Sequence, residues 1–386
     1  MARTGSKHGL SFTHVRLRNW RNFERVDVDL RPRVFLVGPN ASGKSNFLDA
    51  GRFLHDLVAI GGGLQEAVQR RGGVSRLRCL AAREFPDIAL ELVMHDPGSG
   101  RTWEYHLHFS QDNRQRPLVK KEYVARDGLL TLERPNEDDR ADPERLTQSF
   151  IEQVNANRDF REIAEFFASS RYLHLVPQLV RDPDRYVLRA RDPYGSDFLE
   201  QVAATAKNVC TSRLARIAAA LRVAVPQLQE LEFCRDDKGT PHLRGRYEHW
   251  REKGAWQSEQ QFSDGTLRLL GLLWAVMDGS GPLLLEEPEL SLHTDIVRFL
   301  PQMFANVQTR SGRQLLISTH SADLLRDEGI GLDEVLLLTP SGEGTEVVSA
   351  ASREQIRHLV DGGLNLADAV LPHTRPAKPE QFMFAL

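Results

Sequence analysis

The chain has 386 residues, of which 41% are hydrophobic and 27% charged, with a net charge of −3. That is room for one large domain or two around a sizeable core; the composition is that of an ordinary globular protein, and the charge argues against a generally basic nucleic-acid-binding surface while leaving room for a local patch. No apolar run is long enough to span a bilayer, the start MARTGSKHGLSF lacks the apolar middle of a secretory leader, and Cys79, Cys210 and Cys234 are unpatterned. A cytoplasmic protein with no membrane partner, no disulfide framework and no cysteine metal site is expected.

The first chemical signal along the chain is RVFLVGPNASGKSNFLDAGRFLHDLV. Val34 to Val37 form an apolar run suited to a buried parallel strand, and Phe47, Ala50, Leu54 and Leu57 recur at helical spacing. Between them lies a G-x-x-x-x-G-K-S loop. Glycines let its backbone approach phosphate oxygens, amides at the helix start supply donors and a positive dipole end, Lys44 reaches the β- and γ-phosphates, and the Ser45 hydroxyl ligates Mg²⁺. The nucleotide-binding set is Gly38, Pro39, Asn40, Ala41, Ser42, Gly43, Lys44, Ser45 and Asn46, with ATP and Mg²⁺ as cofactors.

Further along, DIALELVMHD, TWEYHLHFS and PLVKKEYVAR alternate like half-exposed antiparallel strands. Residues 133–145, ERPNEDDRADPER, are charged and proline-bearing and read as a mobile linker. Residues 146–169 and 197–222 show helical periodicity, which makes the middle of the chain a mainly helical insertion. QFSDGTLRLLGLLWAVM places Ser263, Asp264 and Gly265 just before an apolar helix, a second set of amides at a helix start. One subunit has no use for a second anion site; a dimer has.

LLLEEPELSLH then packs Glu286, Glu287 and Glu289 into four positions after an apolar run. Like charges that close need a cation, a proton or hydrogen-bond donors. A strand leaving the sheet into an acidic loop is the plainer alternative. If Leu283 to Leu285 run beside the phosphate-loop strand, Glu286 falls near Mg²⁺ and Glu287 faces the γ-phosphate, where it orients or deprotonates the attacking water. LLISTHSADLL puts His320 after another apolar strand, where a satisfied strand-end histidine is the plainer reading.

In this order, the motifs resemble those of the ABC-type ATPases, α/β P-loop NTPase heads with a mostly parallel core sheet and an antiparallel wing. The resemblance implies that Ser263 and Gly265 form a signature covering the γ-phosphate of the opposite subunit, that Ser291 lies in a D-loop at the subunit junction, and that His320 touches the γ-phosphate. VRLRNWRNFERVDVDL, RYLHLVPQLVRDPD and EEPELSLH are similar to stretches of the RecF, SMC and OLD branch, including bacterial RecF-like predicted ATPases. Two departures stand out. Glu286 replaces the usual aspartate, and FSDGT replaces LSGGQ, so Asp264 must point away from phosphate or bind a nearby arginine.

The expected division is an N-terminal half-head at 1–132, linker and insertion at 133–250, a C-terminal half-head at 251–350 and a tail at 351–386. The resemblance implies a homodimer closing around two ATP, open to higher assembly, with Glu287, His320 and Lys44 catalytic and Ser45 and Glu286 on the metal. DNA repair, DNA maintenance or anti-phage defence is the implied setting, with double-stranded DNA and a separately encoded nuclease or other effector as candidate partners. An ATP-binding scaffold with negligible hydrolysis is the alternative; a transporter ATPase subunit is a weaker one. Gln178, Gln65 and Gln69 are Q-loop candidates, Trp20 and Phe23 candidate adenine platforms, and Arg21, Arg70 and Arg71 candidate phosphate contacts. A surface glutamine, a core aromatic and a solvated arginine are the plainer readings.

Overall fold

The computed structural model describes residues 9–81, 86–182, 192–249 and 255–374. Its strands are β1 (Ser11–Trp20), β2 (Phe23–Asp29), β3 (Arg33–Val37), β4 (Ile88–His95), β5 (Thr102–Gln111), β6 (Pro117–Arg126), β7 (Leu129–Arg134), β8 (Arg171–Leu173), β9 (Leu228–Arg235), β10 (Pro241–Tyr247), β11 (Ala255–Ser258), β12 (Leu283–Glu286), β13 (Leu315–Thr319), β14 (Val335–Ser341) and β15 (Gly344–Ser349). They order into sheets β2-β1-β4-β5-β6-β7, β11-β10-β9 and β15-β14-β3-β13-β12-β8. Two compact units divide the chain: Met1–Arg171 with Ser280–Leu284 and Pro301–Leu386, and Tyr172–Gly279 with Leu285–Leu300.

In the first unit every residue of β3 is buried. The strand pairs in parallel on both edges, Phe35 lying opposite Ile317 of β13 and Val335 of β14. A strand covered on both faces and edges has no polar side, which is why it reads as an unbroken apolar run. Its first residue is the exception. Arg33 is buried, but it donates to both carboxylate oxygens of Glu334 at 3.1 and 2.7 Å and to the carbonyls of Pro301 and Gly329 at 3.2 and 2.5 Å. A buried cation persists only when its donors are used in this way. The start of β12 joins the same sheet through Leu283 N–H to Gln314 O at 2.9 Å.

Helix α1 (Lys44–Val58) buries Phe47, Leu48, Ala50, Leu54 and Leu57 on one face. At Gly51 a Cβ would lie 2.8 Å from Leu284 Cδ1, so only glycine lets the helix seat this closely. Helix α2 (Arg161–Ser169) packs beside α1. Phe12 of β1 meets its Phe166 at a tilt and stacks on its Phe167, at centroid distances of 4.8 and 6.2 Å.

The antiparallel wing alternates as its sequence predicts, with Val15 and Leu17 inward and Arg16 and Arg18 outward on β1. One buried amide hooks it to the core sheet. Gln314 Oε1 accepts from Phe12 N–H at 2.9 Å, and Nε2 donates to the carbonyls of Phe12 and Arg31 at 2.7 and 3.0 Å.

The stretch expected as a mobile linker is ordered and partly buried. Asn136 and Asp139 form a capping box on Glu137–Ala141. The fully buried Arg134 pairs with Glu122 at 3.1 Å and Asp139 at 2.8 Å, its guanidinium 3.7 Å from the Phe150 ring centroid. The β6–β7 register sets Glu122 opposite Arg134, and local sequence shows charge density but not that pairing.

The second unit holds the antiparallel sheet β9 to β11, with α3 (Lys207–Leu221) against β9. Helix α4 (Asp264–Met277) is buried nearly all round, including Leu267, Leu270, Leu272 and Trp274. The expected insertion at 133–250 therefore contains strands as well as helices and contributes to both units. In the tail, Leu366–Val370 is a helix with buried Leu366, Ala367, Ala369 and Val370, and 375–386 lie outside the described residues.

A buried ion cluster fixes α1. Arg71 binds Asp49 through Nε and Nη2 at 2.9 and 2.8 Å and Asp56 through Nη1 at 2.9 Å, and lies 5.2 Å over the Phe53 ring. Burial pushes the Asp56 carboxyl up, but the His55 hydrogen bond and the Arg71 charge outweigh it and bring the carboxyl from the ordinary 3.8 to about 2. A depressed carboxyl stabilises the fold above its unfolded value, and that stability is lost as pH falls from near 3.8 toward 2. Arg71→Met is expected to cost up to about 3–5 kcal/mol in urea unfolding at neutral pH, because it takes the main cation from two acids and leaves Asp49 with Arg21 at 3.2 Å and Asp56 with Arg70 at 3.5 Å. It should also flatten the acid limb of the stability curve; an unchanged midpoint and limb would refute the cluster's role.

Candidate functional site

The phosphate loop follows β3 directly. Ala41 and Gly43 occupy the left-handed region at φ 61° and 97°, turning the chain into α1. At Gly38 a Cβ would meet Ser42 Oγ at 2.5 Å and Leu338 O at 2.6 Å, and at Gly43 it would meet Asn22 Nδ2 at 2.3 Å. Neither position admits a side chain. Gly43 caps α1 without a side-chain hydrogen bond. Lys44 is buried, its ammonium donating to Gly38 O at 2.9 Å and Pro39 O at 3.1 Å, and Ser42 Oγ is buried without a hydrogen-bond partner.

Asn22, which the sequence did not single out, holds this loop from the β1–β2 turn. Its Nδ2 donates to Ser42 O at 3.0 Å and Thr345 Oγ1 at 2.8 Å, and its Oδ1 accepts from Asn46 Nδ2 at 2.8 Å. The parallel register sets Thr319 opposite Val37, so His320, which is exposed, and Gly38, which is buried, leave neighbouring strands at the same end. The fold thus brings His320 and the loop together. A glycine cradle, an ammonium held on the loop's own carbonyls and a serine hydroxyl at the helix start suit a triphosphate and the Mg²⁺ that accompanies it.

In the second unit Glu286 ends β12, and its carboxylate accepts a hydrogen bond from the Tyr172 hydroxyl. His174 Nδ1 lies 3.4 Å from the Glu286 carbonyl. Glu287 and Ser291 sit in the left-handed region at φ 43° and 62°. Side chains persist there only where the surroundings dictate it. The turn between them is closed by Leu290 N–H to Glu287 O and Leu292 N–H to Glu289 O, both at 3.1 Å. Burial lowers the pKa of Arg268 on α4, opposed by the charges of Asp264 and Glu287.

Ser263 is the exposed N-cap of α4, its Oγ accepting from Thr266 N–H at 3.2 Å. A Cβ on Gly265 would lie 2.6 Å from Ser291 O, so the start of α4 and the Ser291 turn are packed together. Asp264 does bind an arginine: Arg181 Nη2 lies 2.6 Å from its carboxylate. Gln178 is exposed with Nε2 3.5 Å from Asp264 Oδ2.

Of the other candidates, all but Gln69 are held in structural contacts. Gln65 Nε2 donates to the carbonyls of Pro117 and Thr147 at 2.8 and 2.6 Å. Gln69 is exposed. Trp20 and Phe23 are fully buried in the core. Arg21 reaches Asp49 at 3.2 Å, Arg70 reaches Glu66 at 2.7 Å, and Arg71 is not the solvated arginine expected but the centre of a buried cluster. Among the described residues no helix is long and apolar enough to cross a membrane.

Residues 33–327 match the family described as AAA domain, putative AbiEii toxin, Type IV TA system. Over 43 residues, 11% of either chain, the sequence is 54% identical to the DNA replication and repair protein RecF of Roseiflexus castenholzii. Over 47 residues, 12% of this chain and 8% of the relative, it is 43% identical to the Endonuclease GajA of Bacillus cereus. The matches therefore span only about a tenth of these relatives. In fold, the chain is similar to an Smc head bound to the C-winged helix domain of ScpA, with TM-score 0.54 and 11% identity over 87% of this chain and 96% of that one. It is also similar to the Smc head with extended coiled coil bound to the C-terminal domain of ScpA derived from Pyrococcus furiosus, with TM-score 0.50 and 12% identity over 91% and 100%. The wing and the mostly parallel core sheet are thus those of an ABC-type head, and the chain belongs to the AAA domain, putative AbiEii toxin, Type IV TA system family, as an ABC-type ATPase of the RecF, SMC and OLD branch.

Proposed function

We propose that the chain binds and hydrolyses ATP as a head-to-tail dimer and uses the cycle to drive or regulate a partner acting on DNA. The observation that carries the nucleotide reading is the cradle: two glycines whose Cβ would collide with the loop's own neighbours, opening a helix that starts at Lys44. When ATP enters, Lys44 exchanges the Gly38 and Pro39 carbonyls for phosphate oxygens, and Ser42 Oγ gains a partner. Bound Mg²⁺ supplies countercharge for the phosphates, with Ser45 and Glu286 as its protein donors. Glu287 orients water for in-line attack on the γ-phosphorus and takes its proton as the bond to ADP breaks, while His320 steadies the γ-phosphoryl oxygens.

Ser263 and Gly265 serve the partner's nucleotide. Support comes from the exposed N-cap serine of a 14-residue helix and from Arg181, which pairs with Asp264, the acid at that helix start. The DNA-directed output rests on the likeness to RecF and GajA, and a separately encoded effector would dock on the closed dimer.

Glu287→Gln is expected to bind ATP and run as a dimer on a sizing column with turnover reduced about a hundredfold or more; a monomer with full turnover would remove Glu287 from its role. Ser263→Arg should keep ATP binding and lose hydrolysis, Lys44→Ala should lose binding, and mixing the two should restore part of the activity through one intact composite site. No restoration would place the complete site within one subunit. Duplex DNA binding by the ATP-bound protein should weaken about tenfold or more between about 50 and 200 mM salt; absence of DNA binding at any salt would shift the reading to a protein partner.

A further inference from the structure

The segment RYLHL takes no part in the ATPase motifs, yet it meets the metal-side acid at two points. Tyr172 donates to the Glu286 carboxylate, and the His174 ring nitrogen lies 3.4 Å from the Glu286 carbonyl. Tyr172 and His174 are two residues apart on an extended segment, so they share one face. Leu173 and Leu175, on the other face, are buried. Leu175 is wedged against α4, where a Cβ on Gly271 would lie 2.1 Å from Leu175 Cδ1. The His174 ring also meets Tyr194 edge-on at 6.1 Å. The hydroxyl that reaches Glu286 is thus presented by a segment whose own position is fixed by packing.

We infer that Tyr172 is a positioning residue for Glu286, matched to the use of glutamate where related ATPases have aspartate; this rests on Glu286 being the metal-side acid. Glutamate carries one more rotatable bond than aspartate, so its carboxylate is less well placed by the backbone alone. A donor on one carboxylate oxygen removes that freedom and sets the orientation in which the carboxylate meets a cation or its bound water, as outer hydrogen bonds orient metal-binding carboxylates generally. His174, at the Glu286 carbonyl, fixes the main chain at the same residue.

The test uses the full chain with a non-hydrolysable ATP analogue and Mn²⁺ as the probe, read by the resonance signal of bound Mn²⁺. Tyr172→Phe keeps the ring and is expected to weaken Mn²⁺ binding about tenfold or more while leaving the analogue's affinity in chelator unchanged. Tyr172→Met carries the same expectation should the first variant fold poorly. On a Glu286→Asp background, whose shorter acid falls short of the hydroxyl, Tyr172→Phe should cause no further loss. Two outcomes overturn the inference. If Glu286→Gln loses Mn²⁺ affinity but Tyr172→Phe and Tyr172→Met do not, Tyr172 merely packs. If Glu286→Gln leaves Mn²⁺ affinity intact, the metal-side assignment itself fails and the inference goes with it.

Discussion

The structure depends on β3 being buried on both faces while paired in parallel on both edges. Such a strand cannot carry polar chemistry along its length, so the chemistry is displaced to its two ends. At the entry end Arg33 is the polar residue, and it needs Glu334 and two carbonyls to be tolerated. At the exit end the chain must turn at once into α1, and the positive φ of Ala41 and Gly43 makes that turn. Because β13 runs in the same direction and register, His320 emerges beside the loop.

A loop with two left-handed residues would be floppy if held only by its own strand and helix. It is instead braced from the wing. Asn22 ties the carbonyl of Ser42 and the side chain of Asn46 to the β14–β15 hairpin, and Arg71 ties α1 through Asp49 and Asp56 to the segment after it. Gln314 in turn fixes the wing's first strand to the core sheet. The wing therefore acts as a frame that holds the loop backbone in place, so that on the proposed reading less ordering is left to occur when a triphosphate binds.

What could be read from the sequence follows from this division of labour. The strand, the glycine loop and the helix were legible because each is specified locally, by an apolar run, by left-handed turns and by helical spacing. The signature's Asp264 was legible as a problem needing an arginine, and Arg181 meets it, though nothing local could say which arginine. Asn22, Gln314 and Arg71 were not legible as braces, since their partners lie far along the chain or across a register that sequence does not print. Residues 133–145 misled for the same reason: a run of charges looks solvated until Glu122, on the facing strand, is seen to bury one of them. The strands β9 to β11 hid in a region where helical periodicity on either side dominated the reading.

The acidic turn after β12 shows how a locally unfavourable sequence is made workable. Glu286, Glu287 and Glu289 repel one another, yet each has a different environment: Glu286 accepts from Tyr172, Glu287 lies in the field of the half-buried Arg268, and Glu289 is buried in the turn that its own carbonyl helps to close. Part of the countercharge for the knot is therefore supplied by the protein itself. A cation arriving with nucleotide would then spend its binding energy on ordering phosphates and water, since less of it is needed to hold the turn together. On the proposed reading, that division lets Glu286 and Glu287 serve the nucleotide while all three acids form a stable end to a buried strand.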